Sequence, residues 1–401
     1  MANSAIGLKS PIGLQDTRNV LINGEFNLWQ RGITAEAGFT GDGGIHNFHH
    51  ADRWKLYAQS SRTVESTLSD VQVSRVNFDL GVPSGTVNKS KYYLNLYVGN
   101  TADLSGTSTT DNNTTGEPIS GFSGGTGAGN FIGIFQDIED VRTLSGKSAI
   151  LSYWAKSDIT NQRIGAKLKQ CFAGGTADLD VQGYTGAGHT LDNTWRQYKT
   201  EFNVPSVANQ TIGTSGDDAL QLGIYVHFCT GHGVGAASPA LGLTFEFGNA
   251  AGASGNVSIA QVQLEQGTNA TEFDKRSKAE EIMDCYRFFQ KTYDLDDAPG
   301  TSTAVGQGMS CVNKPGSVDA IQHYQFIPAM HSTPTVHLYD HNGNKDKVSS
   351  GAGGGQPGFN AQTQTPNTHG VNWGFITTSP PNSVYYAHIV SESELSVTTN
   401  T

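Results

Sequence analysis

The chain has 401 residues, enough for two or three domains with cores of their own. Its formal charge of −11 argues against nucleic acid as a partner, because phosphate binding needs a basic surface, and against docking on an anionic lipid face. Its 49 glycines and only 15% charged residues, among short runs of β-branched and aromatic residues, suit many short strands and turns rather than helices.

Residues 1–18 read as a polar arm that docks on a partner. Val20–Phe26 reads as a first strand, running into Asn27–Gly32. Ala51–Gln59 and Asp70–Phe78 alternate well, whereas in Lys91–Gly99 the buried face is left open. The stretch 100–130, rich in Gly, Ser, Thr and Asn, reads as a long surface loop. Phe131–Asp140 resumes the sheet. In Leu144–Ser157 a Ser-Gly-Lys turn feeds a strand. Ala149, Leu151, Tyr153 and Ala155 share one apolar face, and Ile150, Ser152, Trp154 and Lys156 share the other. Gln162–Phe172, Thr194–Ser206, Ala219–Phe228, Leu241–Gly248 and Asn256–Gly267 complete the set. The alternation is cleanest in Leu220, Leu222, Ile224, Val226 and Phe228. About ten strands joined by turns predict one large antiparallel β-sandwich over 19–276.

At Ser277 the period changes. Ser277 and Glu280 form a capping-box pattern, and Ala279, Ile282, Met283, Tyr286, Phe289 and Tyr293 fall at helical spacing. This predicts one linking helix over 277–293 that packs on the sandwich or on a neighbouring chain. The remainder, 294–401, reads as a smaller β-rich domain. Its strands are His323–Met330, Thr333–Asp340, Val371–Thr378 and Ser383–Ser391, with Ser349–Gly358 a flexible loop. The expected fold class is therefore all-β.

Cys171, Cys229, Cys285 and Cys311 lie too far apart to describe a disulfide framework, and they read as small buried apolar residues. The N-terminus lacks an apolar signal region, and no run approaches the length that spans a bilayer. No membrane insertion is expected, and assembly in the cytoplasm is.

Gly121-Phe122-Ser123-Gly124-Gly125 has the letters of a hydrolase elbow but no strand-to-helix setting. Gly353–Gly358 has the letters of a dinucleotide loop but contains Pro357 and lacks a following helix. His227 and Cys229 share a strand face with His232 just beyond, a weak zinc pattern set against an ordinary core cysteine and turn histidines. His46, His49 and His50 lie near Asp42 and Asp52 in a Gly-rich stretch and read as solvated. Trp154, Tyr184, Trp195, Tyr198, Trp373, Tyr385 and Tyr386 are candidate stacking faces for sugar rings, against the commoner role of filling a core. No carboxylate pair stands out for glycoside hydrolysis, so no enzymatic activity is expected.

Six phrases in order carry a resemblance: LINGEFNLWQRG (21–32), ADRW (51–54), DIEDVRTLSGKSAILSYWAKS (137–157), TWRQYKTEFNVPS (194–206), DDALQLGIYV (217–226) and IAQVQLEQGTNATEFDKRSKAEEIMDCYRFFQK (259–291). The chain over Val20–Glu281 resembles bacteriophage tail-fibre and virion appendage proteins that carry a carbohydrate-binding-module-like jelly roll. The resemblance implies a jelly-roll scaffold, a place on the virion, commonly a homotrimer, contact with other virion proteins, and a host-surface glycan as a further partner. It makes the 1–18 arm a virion or subunit docking segment. It also implies a structural calcium near the first strand, with Glu25 as an acidic ligand. The 100–130 insert and the lack of a fibrous shaft depart from the family, so decoration of the capsid or tail is the alternative placement. A lectin is a second alternative and a polysaccharide depolymerase a more distant one. Because Trp154 belongs to a scaffold phrase, ligand contacts are sought first in the 100–130 loop and the C-terminal region.

Overall fold

The computed structural model describes residues 18–39, 45–59, 68–78, 90–98, 130–183, 188–229, 255–304, 307–312, 319–350, 356–376 and 384–395. Leu241–Gly248, Tyr184, Ser123, His232 and the 1–17 arm lie outside them.

Two antiparallel sheets face each other. The first runs β1 (Thr34–Phe39), β4 (Leu68–Asn77), β5 (Tyr92–Val98), β13 (Gly255–Gln266), β7 (Ser148–Ser157) and β11 (Arg196–Asn203). The second runs β10 (His189–Thr190), β8 (Arg163–Cys171), β12 (Ala219–Cys229), β6 (Asn130–Glu139), β3 (Lys55–Gln59) and β2 (Ile45–His49), with β9 (Leu179–Gln182) on β8. From β3 onward the chain passes repeatedly between the sheets, which gives a jelly-roll-like sandwich.

Strand alternation sets the core. Leu151, Tyr153, Val257 and Ile259 of the first sheet meet Ile134, Leu222 and Ile224 of the second in one buried cluster. Burying each such aliphatic side chain contributes about 1.5–3 kcal/mol. In β5 the open question resolves toward Leu94, Leu96 and Val98 as the inward set.

Val20–Phe26 is not a strand. Asn23 and Phe26 adopt φ of 56°, turning the chain back on itself. Two backbone bonds join it to β13, Val20 N to Leu264 O at 3.0 Å and Val262 N to Gly24 O at 2.9 Å, and side-chain amides supply the rest: Asn19 Oδ1 accepts from Leu21 N at 3.1 Å and Leu264 N at 3.0 Å, and Asn19 Nδ2 donates to Val262 O at 3.1 Å. A Cβ on Gly24 would stand 2.3 Å from Val262 O, so glycine is required where this segment passes β13. Phe26 and Trp29, 0% and 1% exposed, plug the end of the sandwich.

The helix α1 spans Lys278–Tyr286 and carries the reciprocal capping box of Ser277 and Glu280. It is shorter than the spacing predicts, because Phe289–Lys291 form β14 in a ladder with β21 (Val384–Glu392). Its inward positions are Glu281 and Cys285, whereas Met283 is 43% exposed.

The C-terminal sheet runs β14, β21, β18 (Lys347–Ser350), β19 (Gln356–Asn367), β20 (Gly370–Ile376) and β16 (Asp319–Gln325), with β15 (Met309–Val312) and β17 (Thr335–Tyr339) also on β21. Ser349, Ser350 and Gln356–Gly358, expected in a loop, are strand residues. A strand therefore continues from Gly358 where a dinucleotide site would need a helix.

The end of β21 is fastened to the sandwich by buried charge. The Glu394 carboxylate accepts from Arg53 and, at 3.1 Å, from Arg31 Nη2, and His49 Nε2 lies 3.6 Å away. Arg53 stacks on Phe288 at 3.4 Å and Arg31 on Phe289 at 3.9 Å. Lys55 Nζ donates to Asp137 Oδ2 at 2.7 Å and to Leu395 O at 2.8 Å. Beside this cluster, Arg287 grips Glu139 with bonds of 2.6 and 2.8 Å. Burial alone would raise the Glu394 pKa, but Arg53, Arg31 and Lys55, joined by His49 only when its ring is protonated, outweigh it and hold the carboxyl well below its usual range. His49 and His50 are not solvated as the sequence suggests: His50 is 6% exposed and His49 faces this cluster. Burial, then Arg31, lowers the His50 pKa to about 4. Burial also lowers His49, with Arg31, Lys55 and Arg53 adding and Glu394 opposing.

Glu394→Gln leaves Arg53 buried without its counter-charge, while Arg31 keeps Glu392 at 2.9 Å and Asp52 at 3.7 Å, and is expected to cost about 3–5 kcal/mol in urea denaturation. His50 and His49 are neutral when folded and take up protons when unfolded. Their contribution is therefore present above pH 6.5 and lost as the pH falls toward 4. For His50 alone this is a loss of about 2 kcal/mol at pH 5 relative to pH 8. A His50→Asn protein should show a shallower pH dependence of its urea midpoint over that window.

Candidate functional site

With Leu94 and Leu96 turned inward, Tyr93 and Asn95 project from the outer face of the first sheet. The register places Val76 of β4 opposite Tyr93, and Ser258 of β13 between Asn95 of β5 and Lys156 of β7. Ser157 and Asp158 at the end of β7, Asn193 in the loop before β11, and Asn256 complete the walls of a groove of about 370 Å³.

One side is aromatic. Tyr93, Phe78 and Trp195 form a mutual cluster with ring centroids 4.9, 5.3 and 5.2 Å apart. Lys156 Nζ stands over it, 5.3 Å from the Trp195 ring and 6.0 Å from Tyr93. The other side is a hydrogen-bonded relay. Ser258 Oγ donates to Asn95 Oδ1 at 2.9 Å, Asn95 Nδ2 to Asn256 Oδ1 at 2.8 Å, and Asn256 Nδ2 to Asp158 Oδ2 at 2.8 Å. The Asn256 backbone N–H reaches Asp158 Oδ1 at 2.5 Å. That approach needs Gly255 at φ 156°, where a Cβ would lie 2.3 Å from the same oxygen. The groove thus pairs an aromatic wall with fixed amides and hydroxyls, an arrangement suited to a polar ring with one apolar face.

The aromatic residues singled out in the sequence scatter over both domains. Trp195 does not itself line the groove but packs on Tyr93, which does, with ring centroids 5.2 Å apart. Trp154 lies on the same outer face, half-buried between Gln197 and Ala260 in the ladders, and does not line it. Tyr198 turns the other way, packs on the core beside Tyr153 and donates to Thr190 O at 3.3 Å. Trp373 and Tyr385 are both 0% exposed in the core of the C-terminal sheet, so neither offers a stacking face, and Tyr386 is half-buried on β21. Residues 101–129, where contacts were also sought, lie outside the described residues. Tyr93, Asn95, Lys156, Asp158, Asn193, Asn256 and Ser258 were not singled out. Alternation in KYYLNLYV and NVSIA would have placed Tyr93, Asn95, Asn256 and Ser258 outward together.

The metal candidates divide. His227 and Cys229 sit on β12, but their side chains, like all of His232, fall outside what is described. Glu25 is 3% exposed; its oxygens accept from Ser90 Oγ at 2.9 Å and Asn27 Nδ2 at 2.8 Å, and Lys275 Nζ lies 3.1 Å away. A calcium ion needs an oxygen cage, and here an ammonium, a hydroxyl and an amide already point donors at the carboxylate. These residues do not fit a calcium at Glu25. Among the described residues no group of three or more His, Cys, Asp or Glu could hold a metal. The described cysteines 171, 285 and 311 are free and buried.

The outer face of the second sheet is also charged but internally matched. Lys167 pairs with Asp180 at 2.6 Å and Lys169 with Asp178 at 3.3 Å, beside an edge-to-face row of Tyr57, Phe135 and Tyr225. This is a structural set of ion pairs.

No family model and no curated protein matches this chain. Solved structures that align include the N-terminal cellulose-binding domain of Cellulomonas fimi β-1,4-glucanase C, at 13% identity over 49% of this chain and 90% of that one, TM-score 0.24. The tandem CBM22-1–CBM22-2 domain of Paenibacillus barcinonensis Xyn10C aligns at 11% identity over 90% and 100%, TM-score 0.27. The enzymatically active domain of bacteriophage CBA120 tailspike protein 4 aligns at 11% identity over 62% of this chain and 22% of its own length, TM-score 0.28. Scores of this size carry no argument, and the all-β sandwich stands on the strand topology itself.

Thermal unfolding is expected to have the same midpoint with added calcium and with chelator. Lys275→Met, which removes the counter-charge of a buried carboxylate, should cost about 1–3 kcal/mol by urea denaturation.

Proposed function

We propose that this chain is a non-enzymatic subunit of a bacteriophage virion appendage whose sandwich binds a saccharide of the host surface. The observation that carries the binding part is the groove on the first sheet. It combines Tyr93, backed by Phe78 and Trp195, with a preorganised polar relay on rigid strands. The six ordered phrases support the virion setting, with a homotrimer as the working unit. Lack of catalysis is favoured by there being, among the described residues, a single carboxylate lining the groove. Asp158 is held at both oxygens by Asn256, whereas glycoside hydrolysis needs two carboxyl groups flanking the scissile bond.

A glycan array probed with the purified protein should give hits that weaken by about tenfold or more in Tyr93→Ala and Trp195→Ala, the size of one lost aromatic contact. Immunogold labelling should place the chain on purified particles. A blank array removes the saccharide reading, unlabelled particles remove the virion reading, and turnover of host polysaccharide removes the non-enzymatic one.

A further inference from the structure

The direction of the relay is dictated at one end. A carboxylate only accepts, so the Asn256 group facing Asp158 is its NH₂. Its Oδ1 then faces Asn95 and must receive an N–H, which turns the Asn95 Oδ1 toward the Ser258 hydroxyl. Each amide oxygen already accepts one hydrogen bond, and each amide keeps one N–H uncommitted. Asp158 is held in place by Asn256, each of its oxygens receiving one N–H, so part of its charge is already met.

Lys156 adds to the same bias. It lines the groove, its ammonium stands over the aromatic wall, and among the described residues it forms no ion pair. The lysines on the opposite sheet, Lys55, Lys167 and Lys169, each face an aspartate. The groove therefore presents a cation and spare N–H donors, with its one carboxylate engaged. Such a surface prefers a ligand rich in acceptors and negatively charged, since charge-assisted hydrogen bonds are about twice as strong as neutral ones.

We propose that the groove selects anionic saccharides, with Lys156 as the counter-charge to a sugar carboxylate or phosphate and the spare N–H groups of Asn95 and Asn256 as neutral donors beside it. This rests on the saccharide-binding reading above and names the ligand class. It makes Lys156 the specificity-determining residue, with the aromatic wall supplying affinity shared by charged and neutral sugars. Asp158 is a positioning residue that acts through Asn256.

The test is a panel of oligosaccharides printed in pairs: uronic- and sialic-acid glycans beside their carboxyl methyl esters, and phosphorylated glycans beside their dephosphorylated forms. Wild type, Lys156→Gln and Lys156→Arg are compared, with the urea midpoint as a check that each folds. The charged member of a pair should bind about tenfold more tightly than its neutral partner, the worth of one charge-assisted contact. Lys156→Gln should abolish that preference while keeping the neutral binding, and Lys156→Arg should retain it. The pair that shows the preference identifies the anion. Equal binding within every pair, or a preference unchanged by Lys156→Gln, overturns the proposal and leaves the saccharide reading standing. Binding to no member overturns both.

Discussion

The two β-domains depend on one buried carboxylate. Glu394 lies past the end of β21 and meets Arg31 and Arg53 of the sandwich. Each guanidinium also lies on a ring from the segment after the helix, Arg53 on Phe288 and Arg31 on Phe289. Three stretches remote in sequence are thus clamped at one point: the loops around residues 31 and 53, the helix exit, and the chain's last described strand. Charges this deep are tolerated because each is matched and hydrogen-bonded, and an unmatched one would cost several kcal/mol. Such a junction is specific in geometry, so it fixes how the C-terminal sheet sits on the sandwich as well as holding it there.

That junction leaves the outer face of the first sheet uncovered by the C-terminal sheet, with Lys156, Asn95 and Asn256 lining an open groove. The groove inherits its rigidity from the core beneath. The residues that alternate with Tyr93, Asn95, Lys156 and Ser258 are Leu94, Ala155 and Val257, packed between the sheets. A face on central strands has little conformational entropy left to lose.

Much of this was legible in the chain. Alternation in Leu220–Val226 and Ser148–Ser157 gives the correct inward faces, and the capping box marks the helix start at Ser277. The same rule fails where local pattern is outvoted. Val20–Phe26 has strand composition, yet side-chain bonds from Asn19 and Asn23 leave only two backbone bonds to β13. Phe289 fits the helical stripe, yet β21 draws its backbone into a sheet. Trp373 and Tyr385 look like free aromatics in a polar domain, yet both close a core.

The sequence by itself determined the all-β class, the inward faces of Ser148–Ser157 and Leu220–Val226, and the acidic character that disfavours nucleic acid. These are local properties, set by a period of two and by composition. Only the tertiary structure decided which polar groups meet. Glu394 finds Arg53 across 341 residues, Asn256 finds Asn95 across 161, and Glu25 finds Ser90 across 65. The worth of a charge or an amide depends on who faces it and how dry the place is, and neither is written in its neighbours along the chain.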